Sequence, residues 1–376
     1  MFLPRIRFEM LFLLLVPILP IYIFPSGQPQ IFHFAFILCL MWFLLFGNFS
    51  KSISILRVDR EFFFVAIFLS YLFLHAVSLF FLEGSIRVFL GVLYFLFNFM
   101  VYFCFRHVFY SFQESHRYFL YFLLTGIFIA VFSVFYTGIN ISFTVGEATR
   151  QLGFFNNPNQ LGFYAVLCIS FALALRILAN ISEKLFWLIT ALALFLAIAS
   201  LSKASVISII FVIFFYFFGS IRTLFLGCLL ALLAVAFNLV DIVNTFAIFE
   251  RISNIQNESD SSLESRGYFL LSDHPIYMVL GIGEEQAIRM LGHEVHSTFA
   301  ALYINYGFFG LFLFLFWGWE VFYKCFRVVG LYRCFILFSP LLLYSITHNG
   351  IRFSMLWVYL AFLVGLSSRI LIKNKN

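Results

Sequence analysis

Two histidines and a glutamate stand directly before a long apolar run in the stretch LGHEVHSTFAALYINYGFFG, residues 291–310. His293, Glu294 and His296 could bind a metal, but their spacing differs from that of a helical H-E-x-x-H motif and no third ligand is evident. His296 could also be an interfacial polar residue ahead of Ser297, which caps the next helix. A third interpretation is a general base, because the positive N-terminal end of a helix disfavours imidazolium.

Arg150 opens a second stretch, RQLGFFNNPNQLGFY, which contains the sequence Asn157-Pro158-Asn159. Asn157 as N-cap and Pro158 at the first helical position would begin a membrane helix. That interpretation explains the Asn-Pro pair but leaves Arg150 unexplained. An arginine beside a helix N-terminus can bind phosphate together with free backbone N–H groups. Arg150, Asn157 and Asn159 are therefore candidate phosphate-binding or substrate-binding residues.

Two of the three arginines in the long polar segment 241–295 are further candidates. Ser261 and Glu264 fit a capping box, which predicts a short helix over 262–272 that lies along the membrane surface or against the rest of the protein. Arg266 falls in the first turns of this helix, where a cation is unfavourable for the helix dipole. It either pairs with a neighbouring glutamate or faces an anion. Arg251 either balances the acids of the segment or binds substrate.

Two shorter turns complete the set of candidates. Lys203 lies in SLSKAS, between two apolar spans and with no acid nearby, so a solvated spacer and an anion-binding residue are both open. The stretch SITHNGIRFSMLW near the end of the chain carries His348, Asn349 and Arg352. These three side chains face either a substrate or water at the membrane interface.

The composition decides which elements must position these residues. The chain has 376 residues, of which 63% are hydrophobic and 11% charged, and its mean hydropathy is +1.03. Such values place it among membrane proteins rather than soluble ones. Its apolar runs are apolar at both odd and even positions, which argues against the alternating strands of a β-barrel. We therefore expect an all-α, polytopic helical bundle. The net charge of +6 is explained by membrane topology and gives no reason to expect nucleic acid as a partner.

Hydropathy predicts about twelve transmembrane helices within a single transmembrane domain that covers residues 1–376. The predicted spans are 8–24, 31–47, 61–82, 86–105, 118–137, 160–179, 185–201, 204–219, 222–240, 298–322, 335–347 and 352–369. The N-terminal run lacks a small-residue cleavage site, so we interpret it as the first span rather than a signal peptide. The six cysteines show neither a disulfide framework nor a CxxC metal motif.

The Lys/Arg distribution predicts the orientation. With both termini in the cytoplasm, sixteen of the 23 Lys and Arg residues lie on the inner side and the segment 241–295 lies outside. Seven cations then remain on the outer side: Arg87, Arg150, Lys203, Arg251, Arg266, Arg289 and Arg352. Because they oppose the bias, some of them are candidates for a function on that side.

The order of these motifs resembles that of the O-antigen polymerase/ligase superfamily. The resemblance rests on R-x-x-G-x-x-x-N-P-N, a Ser-Lys turn, an E-x-R helix, HP followed by G-x-G, and H-S opening a span that continues with YGFFGL. It covers roughly residues 150–322 and, more loosely, THNGIR near the end. Each motif is weak alone, whereas their order and the predicted topology are more specific.

The resemblance implies an architecture like that of the GT-C-type membrane glycosyltransferases and a site on the periplasmic face of the bacterial inner membrane. It implies transfer of a glycan from undecaprenyl diphosphate to a hydroxyl, with inversion and with no metal or other cofactor. The essential histidine falls on His296, the essential loop arginine on Arg266, and the other cations on Lys203 and Arg150. Membrane lipids surround such a protein, and a chain-length regulator protein is a further partner known in this setting.

Three functions stay open at this stage, and a purely structural membrane subunit ranks after them because it would leave the outer cations and His296 unexplained. The ending THNGIRFSMLW and Lys203, where the ligases carry Arg, favour a polymerase that extends lipid-linked repeat units over an O-antigen ligase to the lipid A core. A lipid-linked oligosaccharide flippase or other transporter fits twelve spans equally well. A transporter, however, is expected to bury ionisable residues near the bilayer midplane, where this sequence offers mainly His33 and His75.

Overall fold

The protein is described by a computed structural model over residues 8–25, 28–46, 60–137, 150–217 and 279–373. These residues form helices and contain no β-strand. The α-helices are α1 (Phe8–Leu13), α2 (Ile31–Phe46), α3 (Arg60–Glu83), α4 (Leu90–Ser111), α5 (Ser115–Tyr136), α6 (Pro158–Leu178), α7 (Glu183–Ser200), α8 (Lys203–Phe217), α9 (Glu284–Leu291), α10 (Thr298–Val329), α11 (Leu331–Thr347) and α12 (Ser354–Lys373). Short 3-10 helices cover Val16–Ile18 and Ile86–Phe89.

Seven of these helices are long and apolar enough to cross a membrane. They are α3, α4 together with its preceding 3-10 turn, α5, α6, α7, α10 and α12. Helices α2, α8, α11 and the segment Phe8–Ile18 are apolar but shorter. This is the architecture of a helical membrane protein, as the composition predicts. The predicted ninth span, 222–240, lies outside the described residues, as does the predicted helix over 262–272.

The first predicted span differs from the structure. Instead of one helix over 8–24, the structure has the six-residue α1 and the 3-10 helix Val16–Ile18, followed by residues without helix. Pro17 and Pro20 explain the difference, because proline lacks the N–H that a helix needs and its ring clashes with the preceding turn. A hydropathy profile does not detect this interruption of the helix, because the residues on both sides of each proline are apolar.

Helices α6 and α12 form the centre of the bundle. Helix α6 is buried from Leu161 to Leu175, and α12 is buried from Ser354 to Ser367 except at Leu360. Helix α12 packs mainly against α4, and α6 packs mainly against α7. Helix α3 packs along α10, and α8 packs along α11. The outer helices expose phenylalanine and leucine side chains such as Phe63, Leu74 and Phe81, which is expected of surfaces in contact with lipid.

Helix α10 is broken at Gly307, which has φ 68° and ψ −174°. The break frees backbone carbonyls of the preceding turn, which then find partners outside the helix. Ile282 N–H donates to the carbonyl of Ile304 (2.9 Å), and Gly283 N–H donates to that of Asn305 (3.0 Å). The Tyr71 hydroxyl donates to the carbonyl of Tyr306 (2.7 Å). The segment 279–283 is thereby attached to α10 about one third of the way along the helix.

The two ends of the bundle differ in their polar contacts. The upper end carries residues 150–159, 199–203, 279–297 and 345–353. The lower end carries Glu61, a buried carboxylate that forms ion pairs with Arg106 (3.1 Å) and Lys324 (2.6 Å) and accepts a hydrogen bond from Tyr102. A buried carboxylate is stable only when it is paired in this way, so this group connects α3, α4 and α10 at the end opposite the candidate site.

Candidate functional site

Arg150 contacts two other elements at the upper end. Its Nη2 donates to the side-chain oxygen of Asn159 (2.5 Å), and its Nε donates to the carbonyl of Ser200 (3.3 Å). Ser200 is the last residue of α7, so a cation there is favourable for the helix dipole. The backbone N–H of Gln151 adds a bond to the carbonyl of Ala199 (3.0 Å). The arginine of the second stretch is therefore attached to the turn that leads to Lys203.

The turn before Lys203 is tight and well defined. Leu201 has a left-handed conformation with φ 48°, and the backbone N–H of Ser202 donates to the hydroxyl of Ser200 (3.2 Å). Helix α6 lies against this turn at Gly162, where an added Cβ would be 2.8 Å from the Cβ of Ser202. The half-buried Lys203 begins α8. The structure thus brings Lys203 and Arg150 to one turn, although 53 positions separate them in the sequence.

Asn157 and Asn159 have different contacts. The side-chain oxygen of Asn157 accepts from the backbone N–H of Gln160 (2.9 Å), which makes Asn157 the N-cap of α6. Pro158 follows at the start of the helix, as the sequence predicts. Asn159 holds Arg150 with its side chain, and its backbone carbonyl accepts from the hydroxyl of Tyr344 (2.7 Å).

Tyr344 connects the Arg150 region to the beginning of α10. Its ring stacks on that of His348 with centroids 4.7 Å apart. The carbonyl of His348 accepts from the hydroxyl of Thr298 (3.1 Å), and the same hydroxyl accepts from the N–H of Gly350 (2.9 Å). Since Thr298 is the first residue of α10, a continuous set of contacts leads from Arg150 to the residues that follow His296.

His296 lies at the start of α10, exposed, immediately before the capping residue. Ser297 accepts from the backbone N–H of Ala300 (3.4 Å) and donates to the carbonyl of Ser345 (3.2 Å). The rings of His293 and His296 are nearly parallel, at 7°, with centroids 5.0 Å apart. The Nδ1 of His293 lies 2.9 Å from the carbonyl of Glu294, so this nitrogen carries the proton.

Arg352 has two carboxylate partners from the segment 279–297. Its Nη2 forms a short ion pair with Glu284, and its Nη1 lies 2.7 Å from Glu294. Its guanidinium carbon also lies 5.9 Å from the ring centroid of Tyr94, within the range of a cation–π contact. Burial raises the pKa of Glu294 and lowers the pKa of Arg352. We call Arg352, Glu284, Glu294 and Tyr94 the Arg352 cluster.

Helix α9 is a site element that our sequence analysis did not predict. Its N-terminal residues Glu284 and Glu285 and its Arg289 near the other end lie between Gly283 and Gly292, both with positive φ. These are ordinary start and stop signals, and they could have been recognised. The Ser85 hydroxyl and Arg289 lower the pKa of Glu285. The hydrogen bond from Ser85 attaches α9 to the turn before α4, whereas the ion pair with Arg289 lies within α9.

Other contacts at the upper end have no signal in the sequence. Tyr94 and Tyr344 lie within apolar runs, where a tyrosine is typical of a bundle interior. Arg251 and Arg266 fall outside the described residues, so their distance from His296 is not given by the structure. Within the described ranges, no group of three or more His, Cys, Asp or Glu side chains is placed to hold a metal ion.

The residues at the upper end are of types that can bind an anionic group and take a proton from a neighbouring hydroxyl. Arg150 and the nearby Lys203 supply positive charge, and His296 supplies a ring nitrogen that can accept a proton. A scan of protein-family models and a search of curated proteins find no match for this chain. The assignment of a function therefore rests on these residues and their geometry.

Proposed function

We propose that the protein is an O-antigen polymerase. It acts on the periplasmic face of the bacterial inner membrane, with about twelve spans and both termini in the cytoplasm. It transfers the growing glycan from undecaprenyl diphosphate to a hydroxyl of the next lipid-linked repeat unit. The observation that carries the proposal is the set of contacts from Arg150 through Asn159, Tyr344 and His348 to Thr298, because it joins the cationic turn to the histidine end of α10.

The reaction is a single displacement at the anomeric carbon. The acceptor hydroxyl oxygen forms a bond to this carbon while the bond to the diphosphate oxygen breaks, so the configuration inverts. His296 takes the proton of the hydroxyl. Undecaprenyl diphosphate leaves with the electron pair of the broken bond, and Arg150, Lys203 and Arg266 stabilise its negative charge. The reaction needs no metal or other cofactor in this scheme.

The distribution of polar groups supports surface chemistry over translocation. The candidate cations Arg150, Lys203 and Arg352 lie at one end of the bundle, beside the segment 279–297. His75, a midplane candidate, packs beside the α10 break, with its Nε2 3.3 Å from the carbonyl of Gly281. This contact gives His75 a role in holding the segment 279–283. A polymerase explains why these cations gather at one end of the bundle, whereas a flippase is expected to place ionisable residues along a path through the membrane.

Deletion of the gene tests the proposal on a lipopolysaccharide gel of the source strain. Loss of the polymerase leaves core capped by a single repeat unit, because the flippase and ligase remain. Bare core with long polymer still on the lipid carrier indicates a ligase, and bare core without polymer indicates a flippase. An unchanged ladder contradicts all three functions.

Complementation with single variants then tests His296. We expect His296→Ala to leave the single-repeat band, because removal of a general base costs about 10²- to 10⁴-fold in rate. His116→Ala is the matched control, since this histidine lies at the lower end beside Arg369, and it should restore the ladder. Equal protein levels are verified by immunoblot. A normal ladder with His296→Ala would rule out the proposed base.

A further inference from the structure

The charge of the Arg352 cluster differs from that expected of a diphosphate site. One guanidinium faces two carboxylates, Glu284 and Glu294, so these three side chains carry a net charge of −1 when ionised. An anion is repelled by such a group, whereas sugar hydroxyls can donate hydrogen bonds to the carboxylate oxygens. The partners of Arg150, in contrast, include the neutral oxygens of Asn159 and Ser200.

Aromatic rings lie beside this cluster. The Tyr94 ring lies under the guanidinium of Arg352, and its hydroxyl is buried beside the side chain of Asn98 without a hydrogen bond of regular geometry among the described residues. The Tyr22 ring stacks on Phe353 with centroids 6.1 Å apart. A buried hydroxyl without a partner is unfavourable, and a hydroxyl of a bound ligand would satisfy it. The partly exposed carboxylates of Glu284 and Glu294 can accept hydrogen bonds from the hydroxyls of a pyranose ring.

The backbone holds Arg352 in a fixed place. The indole N–H of Trp357 donates to the carbonyl of Ile351 (2.7 Å), and the N–H of Phe353 donates to the carbonyl of Gly350 (3.0 Å). Glu294 is two positions before His296 on the same coil. A ligand bound at the Arg352 cluster would therefore have its hydroxyls close to the base of the proposed reaction.

We infer that the Arg352 cluster binds the neutral sugar of the acceptor repeat unit, and that Arg352 is an acceptor-binding residue and not a ligand of the diphosphate. This inference rests on the proposed function. The two sites then divide the substrates by charge: Arg150 and Lys203 take the anionic donor lipid, and the Arg352 cluster takes the uncharged acceptor hydroxyls.

A transfer assay with two distinguishable substrates tests the inference. The donor is the lipid-linked repeat unit with a fluorescent tag blocking its terminal sugar, so that it cannot accept. The acceptor is the same repeat unit joined to its carrier by a carbon–phosphorus bond, so that it cannot donate. The purified full-length protein in detergent is assayed with each substrate varied in turn.

We expect Tyr94→Phe to raise KM for the acceptor about threefold to tenfold, the loss expected for one hydrogen bond between uncharged groups. Glu294→Gln should raise it by about tenfold or more, because a charged acceptor of hydrogen bonds is lost. Both variants should leave KM for the tagged donor unchanged. Arg150→Gln should raise KM for the donor and leave KM for the acceptor unchanged. Tyr121→Phe, at a half-exposed tyrosine of α5, is the control and should change neither value.

Two other outcomes have distinct meanings. If Tyr94→Phe and Glu294→Gln raise KM for the donor as much as for the acceptor, or raise neither, the acceptor assignment is wrong while the polymerase proposal stands. If the wild-type protein transfers no tagged glycan to the acceptor, the polymerase proposal itself fails, and the acceptor assignment fails with it. Thermal unfolding of each variant verifies that the protein is folded.

Discussion

Asn157 and Asn159 are two positions apart, and their side chains serve different purposes. Asn157 caps α6, whereas Asn159 holds Arg150. We expect Asn157→Ala to lower stability by about 0.5–2 kcal/mol, the usual cost of a lost N-cap, and to keep polymerisation once the protein is folded. Asn159→Ala should leave the unfolding temperature nearly unchanged and reduce polymerisation, because the guanidinium of Arg150 loses its positioning contact.

Thermal unfolding in detergent and the transfer rate of the same preparations measure both effects. The two variants remove the same side-chain atoms, so each serves as the control for the other. If Asn157→Ala reduces the rate at a temperature where the protein is folded, and Asn159→Ala does not, the assigned roles are reversed.

For single residues, the sequence predicted which residue types occupy the candidate site but only some of the contacts that they make. The helix cap at Asn157 and the capping role of Ser297 follow from local spacing and agree with the structure. The contact of Arg150 with Ser200 depends on how α6 and α7 pack, which no local pattern encodes. The ion pairs of Arg352 were missed for the same reason, since Glu284 precedes it by 68 positions.

At the scale of elements, hydropathy predicted the seven helices that are long and apolar enough to cross a membrane, but not the break in α10. Gly307 adopts a φ and ψ that are essentially restricted to glycine. Its position also faces the backbone of residues 279–281, so an added Cβ would overlap the peptide groups of Leu280 and Gly281. A glycine in an apolar run does not by itself predict a helix break or a close backbone contact. Gly318 also lies in an apolar run of α10, and the helix is continuous there.

We expect Gly307→Ala to destabilise the protein strongly. The backbone conformation alone costs about 1–3 kcal/mol for a residue with a side chain, and the overlap with segment 279–281 adds to it. Gly318→Ala in the same helix is the matched control, because an added Cβ there meets no atom within 4 Å, and it should not lower the unfolding temperature. The measurement is thermal unfolding in detergent with protein yield from membranes. Equal unfolding temperatures for the two variants would contradict the assigned role of the break.

For the molecule as a whole, the distribution of Lys and Arg and the structure indicate independently which cations lie at the same end of the bundle. The charge bias assigns residues 150, 203, 289 and 352 to one side of the membrane, using only the number of spans between them. The structure joins Arg150 to the turn before Lys203, and Arg352 to Glu284 at the start of the helix that carries Arg289. The cations that the charge bias assigns to the outer side, against its own trend, therefore lie together at the upper end, which agrees with a functional role for that end.

The proposed orientation predicts which end a membrane-impermeant thiol reagent can reach. In a variant whose six native cysteines are replaced, we expect Arg289→Cys to be labelled in intact cells with a permeabilised outer membrane, because this exposed side chain would face the periplasm. Gln113→Cys, at an exposed position of the lower end, should be labelled only after the inner membrane is disrupted. The gel-shift of a polymer-linked maleimide measures both. Labelling of Gln113→Cys alone in intact cells would place the upper end in the cytoplasm, where a lipid-linked glycan awaiting polymerisation is not found, and would exclude the polymerase together with the orientation.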